Sequence, residues 1–394
     1  MFHREKVIAA LEAKAERFAS YEAKHANALV AYETALAELT QLSREEVEAR
    51  LASTVWPGAR PTAEHDVYPQ LIVPFEHDWE NHEQARAWAL EVLAGVPTIA
   101  VDGSQIAPST ELSFPVGAIQ IGWFVNPHTA GGDYVKSIEF EVLAPDELGD
   151  ETGAQGFPDW RVNLQRFIGE CEYLMVWMET YAEAAPKPVC FFDGSLIVSF
   201  VQQMRPERQR RYIQAVKALM AASERTRVPL VGFIDTSMAS DLLTMLNTLT
   251  ESRGARTLSD GALIRPRMGW GERTTAWICA RDDQVEPLEG DGGGKYYEDV
   301  VFVYLKTTAD GPPARLDLPR WILEAGELER VVDIVRAECI VGNGYPYAVE
   351  TADAVAVITH QDRERFYRVL QEFVRRRHLP LRFRRKAISK RGRR

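Results

Sequence analysis

"TIAVDGSQIAPS", residues 98–109, begins as an apolar strand, Thr98–Val101, and runs straight into Asp102-Gly103-Ser104. Some ninety residues later "PVCFFDGSLIVSF" (188–200) repeats the pattern, with Asp193-Gly194-Ser195 after a second apolar strand. An aspartate at the carboxyl end of a strand stands at the rim where α/β folds bind ligands. The glycine after it lets the chain turn sharply. The serine either caps the next element or bonds a phosphate oxygen. One such turn is ordinary; two, each behind an apolar strand, point to a shared acidic rim. Carboxylates gathered there repel one another, and a divalent cation offsets the repulsion. Oxygen-only donors favour Mg²⁺ or Mn²⁺. Two such ions, roughly 3.5–4 Å apart, are the usual machinery of phosphodiester hydrolysis. Asp102 and Asp193 are therefore the first metal-ligand candidates.

Such a site needs further acids. Residues 160–184 read as a long amphipathic helix with the stripe Leu164, Phe167, Ile168, Cys171, Leu174, Met175 and Met178. Glu170 and Glu172 flank Cys171, each about 100° round the helix from it. Both border the buried face, and helical geometry alone does not choose between them. Glu179 is less favoured. Asp353, in "GYPYAVETADAVAVIT" (344–359), is read as lying just before an apolar strand, where it caps or ligates. Asp235 ends the strand "PLVGFID" (229–235); a helix start follows, so capping is its simpler role.

Around these motifs, residues 1–52 read as helical and form an arm, here bounded as 1–55. Two prolines and a glycine in "STVWPGARPTAEHD" break it. A helix at 80–94 precedes the first DGS strand, and two strands of hairpin type follow it. The rest alternates: helix 205–225, strand 229–235, helix 238–251, strands "TAWICA", "DVVFVYLKT" and "ARLDLPRW", a helix near 325–339 and a last helix at 361–377. This order suggests one α/β domain, about 80–375, with a mixed sheet flanked by helices.

The chain has 394 residues, 46% of them hydrophobic, enough for a sizeable core. No run of eighteen apolar residues offers a membrane span. The charged N-terminal segment has no signal-type apolar core. Cys171, Cys190, Cys279 and Cys339 are far apart, as free thiols of a reducing cytoplasm would be. The net charge is −11, yet the last twenty residues hold eleven Lys/Arg and no acid. An acidic body with a basic tail (376–394) suits a tail on phosphate and a body holding metal. "EGDGGGK" (289–295) lacks the GxxxxGK[ST] frame of a phosphate-binding P-loop.

"IAVDGSQI", "CFFDGSLI", "LVGFIDTSMASDLL", "ARLDLPRW" and "GYPYAVETADAVAVI", in that order over about residues 95–375, resemble the NurA nuclease family. The resemblance implies an RNase H-like mixed sheet flanked by helices, here with an N-terminal helical extension. It implies an Mn²⁺-dependent deoxyribonuclease, with Mg²⁺ as the alternative ion and two ions as the expected number. It implies 5′-to-3′ exonuclease and single-strand endonuclease activity in double-strand break end resection and repair. It also implies a cytoplasmic homodimer working with a HerA-type hexameric ATPase that translocates DNA. Asp102 and Asp193 match the family's metal-binding aspartates, and Glu170 or Glu172 its helix glutamate. Asp353 falls where many members carry histidine, so this chain offers a carboxylate there in place of an imidazole. Ser104, Ser195, Arg267, Arg273 and Lys306 are candidate contacts to the DNA strand's phosphates, and Tyr345 and Trp270 candidate base-stacking residues. Two rivals are an actin or sugar-kinase type ATPase gripping phosphate with both DGS turns, and a non-catalytic docking partner in DNA repair. The first needs duplicated halves and a Gly-rich adenosine site, which the sequence lacks; the second has no use for acids at strand ends.

Overall fold

The computed structural model describes residues 3–77, 79–110, 112–149, 159–250, 258–281 and 296–380. The chain divides into two compact units. One comprises Trp79–Gly232 and the described residues from Trp321 onward; the other comprises residues 3–77, 233–281 and 296–320.

The first unit carries both DGS motifs. Its strands are β1 (Thr98–Ile106), β2 (Gly117–Asn126), β3 (Val135–Leu143), β4 (Val189–Asp193) and the start of β5 (Leu230–Ile234). They lie in the order β3-β2-β1-β4-β5. The first three form an antiparallel meander, and β4 runs parallel to β1. This is the RNase H-like arrangement. The buried run Thr98–Val101 and the run Val189–Phe192 are apolar at every position or nearly so, because helices cover both faces of these central strands. β3 lies at the sheet's edge, and all its residues but Leu143 are exposed.

Among the described residues the longer helices of this unit are α1 (His82–Leu93), α2 (Asp159–Thr180), α3 (Pro206–Thr226), α4 (Leu328–Val341), α5 (Tyr347–Ala356) and α6 (His360–Arg376). On α2 the expected stripe is buried at Leu164, Phe167, Cys171, Leu174 and Met178. Among the described residues no helix is long and apolar enough to cross a membrane.

Two expectations fail locally. Asp102-Gly103-Ser104 is no turn: β1 continues through it to Ile106. Only the second motif ends its strand, at Asp193, with Gly194 at φ +139°. The segment expected to be a strand after Asp353 is instead the end of helix α5, so Asp353 lies inside that helix.

Gly122 explains how α5 lies so close. It pairs directly with Asp102 across the β1–β2 ladder, so both project to the same face. A Cβ at Gly122 would sit 2.8 Å from the backbone nitrogen of Ala356 and 2.9 Å from its Cα. Gly122→Ala should therefore push α5 off the sheet at the level of Asp102. The expected cost is roughly 1–3 kcal/mol in urea unfolding. Unchanged stability would show that α5 is not pinned there.

In the second unit, Gly58–Pro61, Trp277–Ala280, Val300–Leu305 and Ala314–Pro319 pair in that order. Helix Ala15–Leu39 buries Tyr32, Ala35, Leu36 and Leu39, and the Tyr32 hydroxyl donates to Asn247 at 2.9 Å. A buried ionic network joins Asp241 to Arg281 and Arg315, and Arg315 to Asp317 at 2.7 Å.

Candidate active site

The parallel pairing of β1 with β4 sets the geometry. Val101 is opposite Phe192, so Asp102 and Asp193 follow at the same level on adjacent strands. β4 stops there while β1 runs on, which leaves Gly103 and Ser104 at an open rim. Asp353 comes down on the Asp102 face from α5, close enough to hydrogen-bond its carboxyl. Tyr345, just before α5, donates its hydroxyl to Asp193 Oδ1 at 3.0 Å.

Alternation turns Gly103 to the opposite face, toward α2. A Cβ at Gly103 would lie 2.5 Å from Glu170 Oε1, so the absent side chain admits that carboxylate against the strand. Glu170 is only 6% exposed. Arg166, one turn earlier, donates from Nη1 to Glu170 Oε1 and, at 3.3 Å, to the Gly103 carbonyl. Of the two glutamates, Glu170 is thus the one set against the strand of Asp102. Glu172 is exposed and belongs to a different acidic group, within electrostatic reach of Glu141 and, with Glu139, of Tyr173. Its placement among the ligands is corrected: two residues beyond Glu170 on a helix is about 200° round. Glu179 is exposed and paired with Arg225.

The electrostatics record crowding. Burial pushes the Asp102 carboxyl up to about 6, reinforced by Asp193 and Asp353 and opposed by the Gly103 N–H. Burial pushes Glu170 up to about 8; Arg166 opposes this, and Asp102 and Asp193 add to it. Asp193 stands more open to solvent. Its carboxyl is raised as well, by partial desolvation first, with the Tyr345 hydroxyl opposing and Asp353 reinforcing. Asp102, Glu170 and Asp193 are all raised in proton affinity, and the Asp353 carboxylate adds to the rise at Asp102 and Asp193. Acids crowded in this way form a donor set suited to a hard divalent cation. Among the described residues no three acids already stand together as a ready metal site. The donor chemistry fits such an ion, and the side chains are placed as mutually repelling acids.

The other candidates are placed as follows. The Ser104 hydroxyl accepts from the Ile358 N–H at 3.1 Å, and the Ser195 hydroxyl from the Ile197 N–H at 2.9 Å. Both serines thus hold backbone: Ser104 ties the end of α5 to β1, and Ser195 shapes the turn after Asp193. Arg273, Lys306, Arg267 and Trp270 belong to the second unit. Arg273 is 3% exposed and makes a two-pronged pair with Glu64, both contacts at 2.8 Å, so it is no phosphate contact. Lys306 is buried and its ammonium donates to the Gly311 carbonyl, which corrects that assignment too. The Trp270 indole N–H donates to the Thr307 carbonyl at 3.0 Å and its ring packs on Phe75, a structural role. Arg267 is half-buried in the turn Arg265–Arg267. Asp235 is exposed and does not cap the helix that follows: the N–H groups of Leu242 and Leu243, at the start of helix Asp241–Thr250, bond Asp260 instead. The basic tail beyond residue 380 and "EGDGGGK" lie outside the described residues.

Sequence reasoning missed Arg166 and Glu338. Arg166 carried a signal, since it stands four residues before Glu170 on the same helix. Glu338, on α4, carried none. It is 1% exposed and accepts from the Thr98 hydroxyl at 2.8 Å and from the Ala348 N–H at 2.8 Å, at the start of α5.

Residues 96–358 match the NurA domain family, two thirds of the chain and every acid of the rim. A comparison with curated proteins finds no match. Among solved structures, a NurA crystallised with manganese is 10% identical, with a TM-score of 0.41, over 71% of this chain and 89% of its own. Endonuclease V from Bacillus subtilis is 14% identical, with a TM-score of 0.32, over 78% of this chain and 98% of its own. The catalytic domain of human endonuclease V is 17% identical, with a TM-score of 0.31, over 74% of this chain and 94% of its own. These overall likenesses are too low to bear on function.

Proposed function

Because this chain belongs to the NurA family, we propose that it is a metal-dependent deoxyribonuclease whose active site is the Asp102–Asp193 rim. The observation that carries this reading is the register of β1 against β4, which sets the two aspartates side by side where β4 ends. Asp102, Glu170, Asp193 and Asp353 would hold the metal, Mn²⁺ or Mg²⁺, as one ion or a pair. When bound, a divalent cation lowers the pKa of a water for attack and stabilises the departing oxygen.

The chain's own residues do the remaining work. Tyr345 fixes the Asp193 carboxylate by donating to Oδ1. Ser104 and Gly122 hold α5, and with it Asp353, over Asp102. Asp353 offers a carboxylate where many relatives offer an imidazole, so its role is ligation and not the proton transfer of a histidine. The same reading includes 5′-to-3′ exonuclease and single-strand endonuclease action, a homodimer, a cytoplasmic setting, and work with a HerA-type hexameric ATPase in the end resection of double-strand breaks. These finer points come from the family resemblance.

End-labelled single- and double-stranded DNA, incubated with the protein and Mn²⁺, Mg²⁺ or EDTA, tests it. Degradation is expected with Mn²⁺ and not with EDTA. A protein that never cuts, even with a HerA-type ATPase added, would leave the docking-partner reading in its place.

A further inference from the structure

α2 leads into β4 and α3 leads out of it, so the N-terminal ends of both helices lie toward the carboxyl rim that carries Asp193. There the two helices meet through side chains of one chemistry. The Arg208 guanidinium lies over the Trp160 ring at 3.8 Å from its centroid, and Arg161 approaches the same ring at 4.9 Å. Phe200, in the turn between Asp193 and α3, is 55% exposed and packs edge-on against Phe167 and Tyr212. Arg166, Glu170, Arg208 and Arg211 all lie within electrostatic reach of the Tyr212 hydroxyl, which ties this seam to the acidic rim. The Nε groups of Arg161 and Arg166 are buried with no hydrogen-bond partner among the described residues. Arg205 and Arg210 are exposed at the start of α3; Asp159 and Glu207 are the acids of the two helix starts. α3 begins with no side-chain cap on its N–H groups, which adds to the pull on an anion.

An acidic protein that concentrates guanidinium groups and an exposed aromatic ring at one end of its acidic site presents complementary charge to a polyanion and a face for a base to stack on. We propose that the α2–α3 seam, from Arg166 past Arg211 and Arg208 to Trp160 and Phe200, is the surface that grips a single DNA strand on one side of the scissile bond. Arg208 and Arg211 contact phosphates, Phe200 offers a stacking platform, and the Trp160 ring holds the Arg208 guanidinium in place. The proposal rests on the nuclease reading above and deepens it by naming where the strand lies.

The test is fluorescence anisotropy of a labelled single-stranded oligonucleotide in EDTA, over a salt series, for wild type and Arg208→Gln/Arg211→Gln, with Mn²⁺-dependent cleavage measured in parallel. The double variant should bind on the order of tenfold more weakly. Its salt slope should be shallower by about 0.7 for each phosphate that it no longer neutralises. Arg208→Lys keeps the charge and loses the planar stack on Trp160. It should retain most of the salt slope, which separates phosphate neutralisation from packing. Equal binding and equal slope in the double variant, with wild type still cutting DNA, overturns the seam and leaves the nuclease reading intact. So does a wild type that cuts DNA but does not bind it in EDTA. A wild type that neither binds nor cuts overturns both.

Discussion

Asp102→Asn should abolish Mn²⁺-dependent cleavage, by on the order of 10³-fold, while making the metal-free protein more stable at neutral pH. The two effects have one cause. Asp102 is a half-buried carboxyl beside Asp193 and Asp353, pushed from 3.8 up to about 6. The folded protein therefore binds a proton there that the unfolded chain has already released. Such a group contributes stability that is complete below about pH 4 and is lost as the pH rises through about 6. Glu170, pushed from 4.5 up to about 8, carries the same decline further up. In chelator, then, the unfolding midpoint in urea should fall steadily from pH 5 to pH 8. Asn has the shape of Asp without its charge, so the variant should lose the lower part of that slope and gain on the order of 1–3 kcal/mol at pH 8. Saturating Mn²⁺ should remove the decline in wild type more than in the variant, because the ion offsets the repulsion only where the carboxylates exist. Full cleavage by Asp102→Asn would remove Asp102 from the site. A variant less stable than wild type in chelator would show that the rim is not repulsive.

What the sequence disclosed of this site depended on whether the signal was local. The two apolar strands and their aspartates are local, and the parallel pairing that sets them level follows from an α/β chain. The choice of Glu170 over Glu172 was not legible, because both flank Cys171 equally. Gly103 decides it: a missing Cβ on β1 leaves room for one carboxylate, and that gap exists only once strand and helix meet. "TADAVAVI" reads as leading into a strand from the apolar run "AVAVI" behind a Gly-Tyr-Pro turn. It folds as a helix because Gly122 offers a bare patch of sheet and Glu338 holds the first N–H groups, two partners distant in sequence. Arg273 and Lys306 look like free cations along the chain for the same reason. The partner of Arg273 is Glu64, 209 residues earlier.

Glu338→Ala should be among the most damaging single changes in the first unit, and Glu338→Gln should be mild. α5 starts at Tyr347 behind Pro346, with no side-chain cap of its own. An uncapped helix start leaves backbone N–H groups without acceptors, and burial makes that costly. Glu338 supplies the acceptor from the neighbouring α4, bonding Ala348 N–H at 2.8 Å and the Tyr347 N–H as well. Its other oxygen accepts from Thr98 at the start of β1 and lies 3.5 Å from His128 Nε2. One carboxylate thus ties the helix of Asp353 to the strand of Asp102. Burial raises its proton affinity, and the N–H groups, Thr98 and His128 oppose that rise. Alanine would strand two N–H groups and a hydroxyl and leave a cavity, a loss of about 3–5 kcal/mol in urea unfolding. Glutamine keeps one acceptor for the helix N–H groups. Its amide can donate to the Thr98 oxygen, so about 1 kcal/mol or less should be lost. Cleavage, measured where both variants remain folded, should fall further for alanine than the loss of folded protein accounts for, and glutamine should restore it. Equal cleavage per folded molecule in all three proteins would mean that Glu338 stabilises the fold without placing Asp353.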